Sequence, residues 1–219
     1  MRYLISIIIG GILLVGCSTE PDSFINDYVT EIFSEIYISK ETEMYRSSAT
    51  GEKADGRYTA YFENGNQQAD LKFEDGFIVD GAIWHENANV FIQYEMEPES
   101  ESVKRTTYSE DGVKRWENVL EPGNRLPREF THWFENETPK SKVTPDEIIA
   151  WYPNGVKKET AEFSNGNQHG RVAKWYENGQ LAGESIYVDN KLHGDYREWD
   201  EDGTLVTSKA YDMGERVEE

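Results

Sequence analysis

Four histidines, one cysteine and forty-two acidic residues are the obvious chemical material in this chain of 219 residues. Two of the histidines share one context, His169-Gly170 and His193-Gly194, which invites a metal or general-base reading. If the step from 169 to 193 is that of a β repeat, about 9.6 Å separates them, too far for ligands that must each lie about 2 Å from one zinc ion. With no second cysteine and no His-x-x-x-His pair, both read as turn residues ahead of a glycine, and no metal is expected. The acids form no Asp-x-Asp-x-Asp-Gly loop with a downstream Glu, so they read as solvated turn positions rather than calcium ligands. Gly-x-Ser-x-Gly, a phosphate-binding loop and a nucleotide fingerprint opening a helix are all missing. Carboxylates this abundant will fall at glycosidase spacing by accident, and a one-sheet structure has no deep pocket to raise the pKa of one of them. Neither catalytic residues nor a cofactor are expected, and the chain does not read as an enzyme.

The elements that carry these residues are set by a repeat. Counting back four residues from a turn position gives Tyr61, Trp84, Tyr108, Trp133, Trp151, Trp175 and Trp199, which takes in five of the six tryptophans. One residue before the turn position stand Asn64, Asn87, Asp111, Asn136, Asn154, Asn178 and Asp202. The turn position itself is Gly65, Ala88, Gly112, Glu137, Gly155, Gly179 and Gly203, in nearly equal steps apart from the short one between Glu137 and Gly155. A second landmark follows 11 residues after the turn, at Gly76, Gly123, Gly166, Asn190 and Gly214, with Phe73, Leu120, Phe163, Tyr187 and Tyr211 three residues before it. Each unit therefore has two turns and two short strands, and periods of this length signify stacked repeats.

Pro153-Asn154-Gly155 suits a type I turn followed by a left-handed residue in a G1 bulge. Ala88 and Glu137 lack the glycine and should cost on the order of 1 kcal/mol each. Both fall in the stretch 85–147, where the repeat is most worn. There Glu95 to Glu101 reads as a protruding acidic loop, and the fourth unit reads as having lost its second half between Pro139 and Pro145. Upstream, Phe24, Ile25, Tyr28, Val29, Ile32 and Phe33 fall at helical spacing, and the short runs 35–39 and 43–46 read as two capping strands.

The net charge of −20 repels phosphate backbones, which argues against a nucleic-acid partner. At the N-terminus a short basic start precedes the apolar run Leu4 to Val15, too short and too terminal for an ordinary spanning helix. Its end, Leu14-Val15-Gly16-Cys17, resembles the lipobox of bacterial lipoproteins. The resemblance implies a signal peptide over 1–16, a lipid on Cys17, a tether over 17–35, and a body held in the bacterial cell envelope by its acyl chains. With Ser18 after the cysteine, the habit of such signals is the outer membrane if the cell is Gram-negative.

The pattern Trp-Tyr-x-Asn-Gly, then Tyr/Phe-x-x-Gly, then His-Gly, clearest over Gly155–Gly170 and Gly179–Gly194, resembles the bacterial variant of the MORN repeat. Such arrays occur in toxin–antitoxin system antitoxins of the YwqK type. The resemblance covers roughly 36–216 and implies an all-β fold, β-hairpins laid side by side in one elongated single-layer antiparallel sheet with a short helical segment ahead of it. The tryptophan column would then be the core of a thin solenoid. The position after it, which includes Phe62, Phe134, Tyr152 and Tyr176, varies more and is the expected place for partner contacts. The function expected is a membrane-anchored interaction surface or scaffold. Two rivals stand beside it, an antitoxin- or immunity-like protein neutralising a basic partner, and a glycan or cell-wall binding module.

Overall fold

The computed structural model describes residues 8–9, 12–13, 20–42, 44–121 and 127–218. Two residue pairs, β1 (Ile8–Ile9) and β2 (Ile12–Leu13), face each other in the apolar N-terminal run. Then follow one helix, α1 (Glu20–Ile32), a separate antiparallel pair β3 (Ile36–Ile38) and β4 (Tyr45–Ser47), and fifteen strands, β5 to β19, that neighbour one another in chain order in one antiparallel sheet. The fold is thus all-β, one long open antiparallel sheet, as the repeat implied. Among the described residues no helix is long and apolar enough to cross a membrane.

The residues up to Ile78 form one compact unit. On α1 the positions Ile25 and Val29, with Phe33 just beyond its end, are 4%, 0% and 1% exposed, a stripe at spacing four that gives the helix one apolar face. The helical spacing read over Phe24 to Phe33 is thus an actual helix with a buried apolar face. Phe33 meets the ring of Tyr58 edge-on at 6.0 Å, Tyr58 meets Phe73 at 5.3 Å, and Phe73 meets Tyr45 at 5.2 Å. Tyr58 lies on β5 (Gly56–Tyr61) and Phe73 on β6 (Gln67–Glu74), where Ala69, Leu71 and Phe73 are fully buried and the residues between them are not. Period two sorts one strand into a core face and a wet face. Burying side chains of this size contributes about 1.5–3 kcal/mol each. The capping strands expected from the sequence are β3 and β4, which form a two-stranded sheet of their own with a bridge from Arg46 to Lys53, and the first strand of the long sheet is β5, from Gly56.

The second unit starts within β7 (Phe77–Trp84). It continues through β8 (Val90–Met96), β9 (Val103–Tyr108), β10 (Lys114–Leu120), β11 (Pro127–Trp133), β12 (Pro139–Val143) and β13 (Glu147–Trp151). The last stretch is β14 (Lys157–Ser164), β15 (Asn167–Trp175), β16 (Leu181–Val188), β17 (Lys191–Trp199), β18 (Leu205–Asp212) and β19 (Glu215–Val217). Its early strands bury large groups, among them Ile83, Ile92 and Tyr94, whereas from β14 onward the buried residues are small or polar, such as Ala161, Ala173 and Ser185.

Two readings of the worn stretch are corrected by these strands. Glu95 to Glu101 is no protruding loop: β8 runs on to Met96, and Glu97 N–H donating to the Ser102 carbonyl at 2.8 Å closes a short hairpin end. The fourth unit has not lost its second half either. β12 and β13 are five-residue strands joined through Thr144-Pro145-Asp146, with Thr144 N–H on the Glu147 carbonyl at 2.9 Å. Shorter strands, not a missing hairpin, account for the short step from Glu137 to Gly155.

Candidate interaction surfaces

The turn chemistry repeats at all seven first turns. At Gly155 the N–H donates to the Tyr152 carbonyl at 2.9 Å, and the N–H of Tyr152 donates to the Val156 carbonyl at 2.8 Å; the same two bonds recur at 62–66, 85–89, 109–113, 134–138, 176–180 and 200–204. Gly155 has φ +83°, and the pairing slips just before it, between Ala150 and Trp151, as a type I turn with a G1 bulge requires. Ala88 and Glu137 are held at φ +67° and +61° in the same position, so these two side chains occupy the left-handed conformation expected of them. The second turns are two-residue hairpins with both central residues left-handed: Asp75-Gly76, Asn165-Gly166, Asp189-Asn190 and Met213-Gly214. That is the type I′ geometry, which follows the twist of the flanking strands. Gly123, the remaining second-turn landmark, lies outside the described residues.

In four units the asparagine before the turn position has two jobs, of which the sequence shows one. Asn154 Oδ1 accepts the N–H of Val156 at 3.0 Å, closing its own turn, while its Nδ2 donates to the carbonyl of Glu177 on the next unit at 3.0 Å. Asn178 does the same to Gln180 and Glu201, Asn136 to Thr138 and Pro153, and Asn87 to Asn89 and Glu110. Asp111 breaks this ladder because a carboxylate has no N–H to give. An ion pair between Arg115 and Glu135, 3.4 Å apart, spans that joint instead.

Tyr152 and Tyr176 are half-buried, and their phenol groups also tie units together. Tyr152 Oη donates to the Trp175 carbonyl at 3.0 Å and Tyr176 Oη to the Trp199 carbonyl at 2.9 Å. Where this position is tyrosine, it staples one turn to the next. Phe62 and Phe134 stand at the same position, half-buried, Phe134 with the Lys140 ammonium 5.7 Å from its ring centre. The tryptophan column is not the core. None of Trp84, Trp133, Trp151, Trp175 and Trp199 is buried, and Tyr61 is 63% exposed. The rings lie over a sheet whose buried positions are filled by other residues.

His169 Nδ1 lies 3.4 Å from Asp189 and His193 Nδ1 3.2 Å from Asp212, two exposed pairs repeating with the units. Among the described residues no group of three or more metal-ligating side chains is placed to hold an ion. The glycine after the first histidine has a local reason. Gly170 is at φ +114°, and a Cβ there would fall 2.2 Å from Glu162 Oε2, which accepts the N–H of Arg171 at 2.9 Å.

A relationship that sequence spacing hid is a pairing of rings with glycines across strands. Phe73 stands opposite Gly56, Tyr94 opposite Gly81, Tyr187 opposite Gly170 and Tyr211 opposite Gly194. All four glycines have positive φ. A ring laid over a strand glycine covers backbone that the missing side chain leaves bare. The equal separation of Gly56 from Phe73, Gly170 from Tyr187 and Gly194 from Tyr211 was the available signal.

Burial moves several titratable groups. His132, stacked on Trp116 with ring centres 3.7 Å apart, is lowered to about 4, by burial first and then by the Lys140 and Arg115 charges. Burial raises the Glu159 carboxyl, against the pull of Lys174 at 3.5 Å. Tyr196 is raised to about 12, chiefly because its hydroxyl donates to the Glu198 carboxylate, with burial second. His132, Glu159 and Tyr196 are not paired with one another in the sheet register.

Residues 168–189 match the family model described as the MORN repeat variant. The match spans one hairpin, β15 to β16, with its Trp-Tyr-Glu-Asn-Gly turn. MORN repeats are commonly protein- or membrane-interaction modules and are generally non-catalytic. Comparison with curated proteins finds no match. The fold and this match define a repeat protein similar to the MORN variant, with exposed turns and open sheet faces available for contact.

Proposed function

We propose that the chain is a lipid-anchored interaction module of the bacterial envelope whose line of first turns holds a basic protein partner. The observation that carries the reading is a row of exposed glutamates two residues before the turn position. Glu86, Glu110, Glu135, Glu177 and Glu201 recur there, and side-chain bonds from Asn87, Asn154 and Asn178 fix the backbone of three of them. Consecutive regular units set these carboxylates about 9.6 Å apart, and pre-positioned charge of one sign gives fast, selective docking of the opposite sign. Phe134, Tyr152 and Tyr176 stand one residue before this position and supply aromatic surface beside the row, as Phe62 does in the first unit. The lipobox-like Leu14-Val15-Gly16-Cys17 supports the anchor; Cys17 lies outside the described residues.

Photo-crosslinkers placed at Glu177 and Glu201 in the native cell should capture one basic protein, and replacing both residues with Gln should weaken that complex and flatten its salt dependence. Capture of an acidic protein, or an unchanged salt dependence, would contradict the reading. Cys17→Ser should release the protein from membranes; unchanged association would remove the anchor. The antitoxin-like form of this proposal, in which the captured partner is a toxin, is favoured if that partner loses its toxicity in the complex.

A further inference from the structure

The register of the last five long strands assembles a second surface, at the other end of the strands from the glutamate row. Phe163 on β14, Tyr187 on β16 and Tyr211 on β18 share one face, because directly paired residues point the same way and the pairings run Phe163–Gln168, Tyr187–Gly170, Tyr187–Leu192 and Tyr211–Gly194. The rings are half-buried and stand two strands apart, about 9.6 Å. On the intervening strands Gly170 and Gly194 stand directly opposite Tyr187 and Tyr211 and add no side chain of their own.

On this face the register lines up the charged residues Glu159, Lys174, Glu198 and Lys209 in the rows beside the rings and Arg216 directly opposite Tyr211, two acids and three bases. Charge on the opposite face is gathered in a network in which Glu184 meets Arg171 at 3.0 Å and Arg197 at 3.4 Å, and Arg197 also meets Asp195. The ring-bearing face is therefore close to neutral in a chain of net charge −20. Gly183, between Lys174 and Glu198 on this face, adds a second sign of a kept space. It is the one described glycine whose backbone is not left-handed, and an added Cβ would have the Arg197 carbonyl at 3.4 Å and Glu198 Cγ at 3.9 Å as its nearest neighbours. Neither conformation nor a hard clash requires glycine there.

We infer that this face binds a neutral β-1,4-linked glycan laid across the strands, its pyranose rings stacking on Phe163, Tyr187 and Tyr211. Such a chain repeats its orientation every two rings, over about the spacing of these side chains, and its apolar C–H faces suit aromatic platforms. A neutral ligand matches a neutral face, whereas an acidic polymer would be repelled by the chain as a whole. The inference goes beyond the basic-partner reading and uses none of its residues.

The test is calorimetric titration of the full chain with chitohexaose, cellohexaose and the corresponding disaccharides, at low and high salt. One hexasaccharide should bind at least about tenfold more tightly than its disaccharide, through engagement of successive rungs, and with no salt dependence. Tyr187→Leu should weaken it on the order of tenfold, a loss of one stacking platform. Gly183→Gln should weaken it as well, and it removes no ring. Tyr211→Leu replaces Tyr187→Leu if the latter lowers the melting temperature. Failure of both hexasaccharides to bind, binding that ignores all three variants, or preference for a proline-rich peptide would overturn the inference. None of these results bears on Glu177 and Glu201.

Discussion

Units turning at Gly155, Gly179 and Gly203 and units turning at Ala88, Gly112 and Glu137 build the same hairpins by different means. In the first group the side chains are standardised: a left-handed glycine, and Asn and Tyr staples reaching the next unit across both of its joints. No large side chain there is fully buried, and the most deeply buried residues are Ala161 and Ala173. In the second group two turns lack glycine and Asp111 interrupts the ladder, yet the strands leading into it bury Ile83, Ile92 and Tyr94. A thin array can thus be held by hydrogen bonds repeated at its turns or by larger apolar groups on its strands. Motif strength in the sequence reports the first means and is blind to the second.

The largest effect should come from the strand core of the earlier units. Tyr94→Ala should cost about 3–5 kcal/mol, read from denaturant melts, with no fully buried side chain of that size among the described residues after β13. Next is Gly170→Ala, at about 1–3 kcal/mol for a strained backbone and a displaced Glu162 carboxylate. Gly194→Ala should cost less, since its added Cβ meets only Ile186 Cβ at 3.9 Å. Removing one staple by Tyr152→Phe or Tyr176→Phe should cost about 0.5–1.5 kcal/mol by the same melts. Smallest are the repairs of the worn turns: Ala88→Gly and Glu137→Gly should each stabilise by about 0.5–1 kcal/mol, bringing these turns to the form the regular units already have.

Acid should separate the regions further. His132 titrates lower when folded than when unfolded, so its share of stability is complete above the usual histidine pKa of 6.5 and is lost as pH falls toward about 4. Glu159 is shifted upward by burial, so it favours the folded state at pH below the ordinary carboxylate value and loses that advantage as pH rises through its folded pKa. Melting curves from pH 7 to pH 4 should show His132→Phe flattening the acid loss and Glu159→Gln raising stability at neutral pH.

Much of this was legible in the chain. Trp-Tyr-x-Asn-Gly spelled out the first turn because a type I turn with a bulge needs a left-handed residue, and spacing alone located all seven. The α1 stripe was legible for the same reason of period. What could not be read were relations between units. Nothing local says that Asn154 donates onward to Glu177, or that the Tyr152 hydroxyl reaches the Trp175 carbonyl, because each depends on how one hairpin stacks on the next. The hairpins closing at 97–102 and 144–146 were hidden since neither ends in glycine. Ring size suggests burial for Trp151 and its counterparts, but in a single layer a large ring caps a face instead of filling one.

Hydrogen exchange followed by mass spectrometry on the double variant Tyr152→Phe/Asn154→Asp tests most directly whether the motif residues are staples between units. The account predicts faster exchange over β13 to β16, the strands on either side of the cut joint, with exchange over β7 to β9 unchanged. Unaltered exchange across β13 to β16, or an equal rise along the whole sheet, would contradict it.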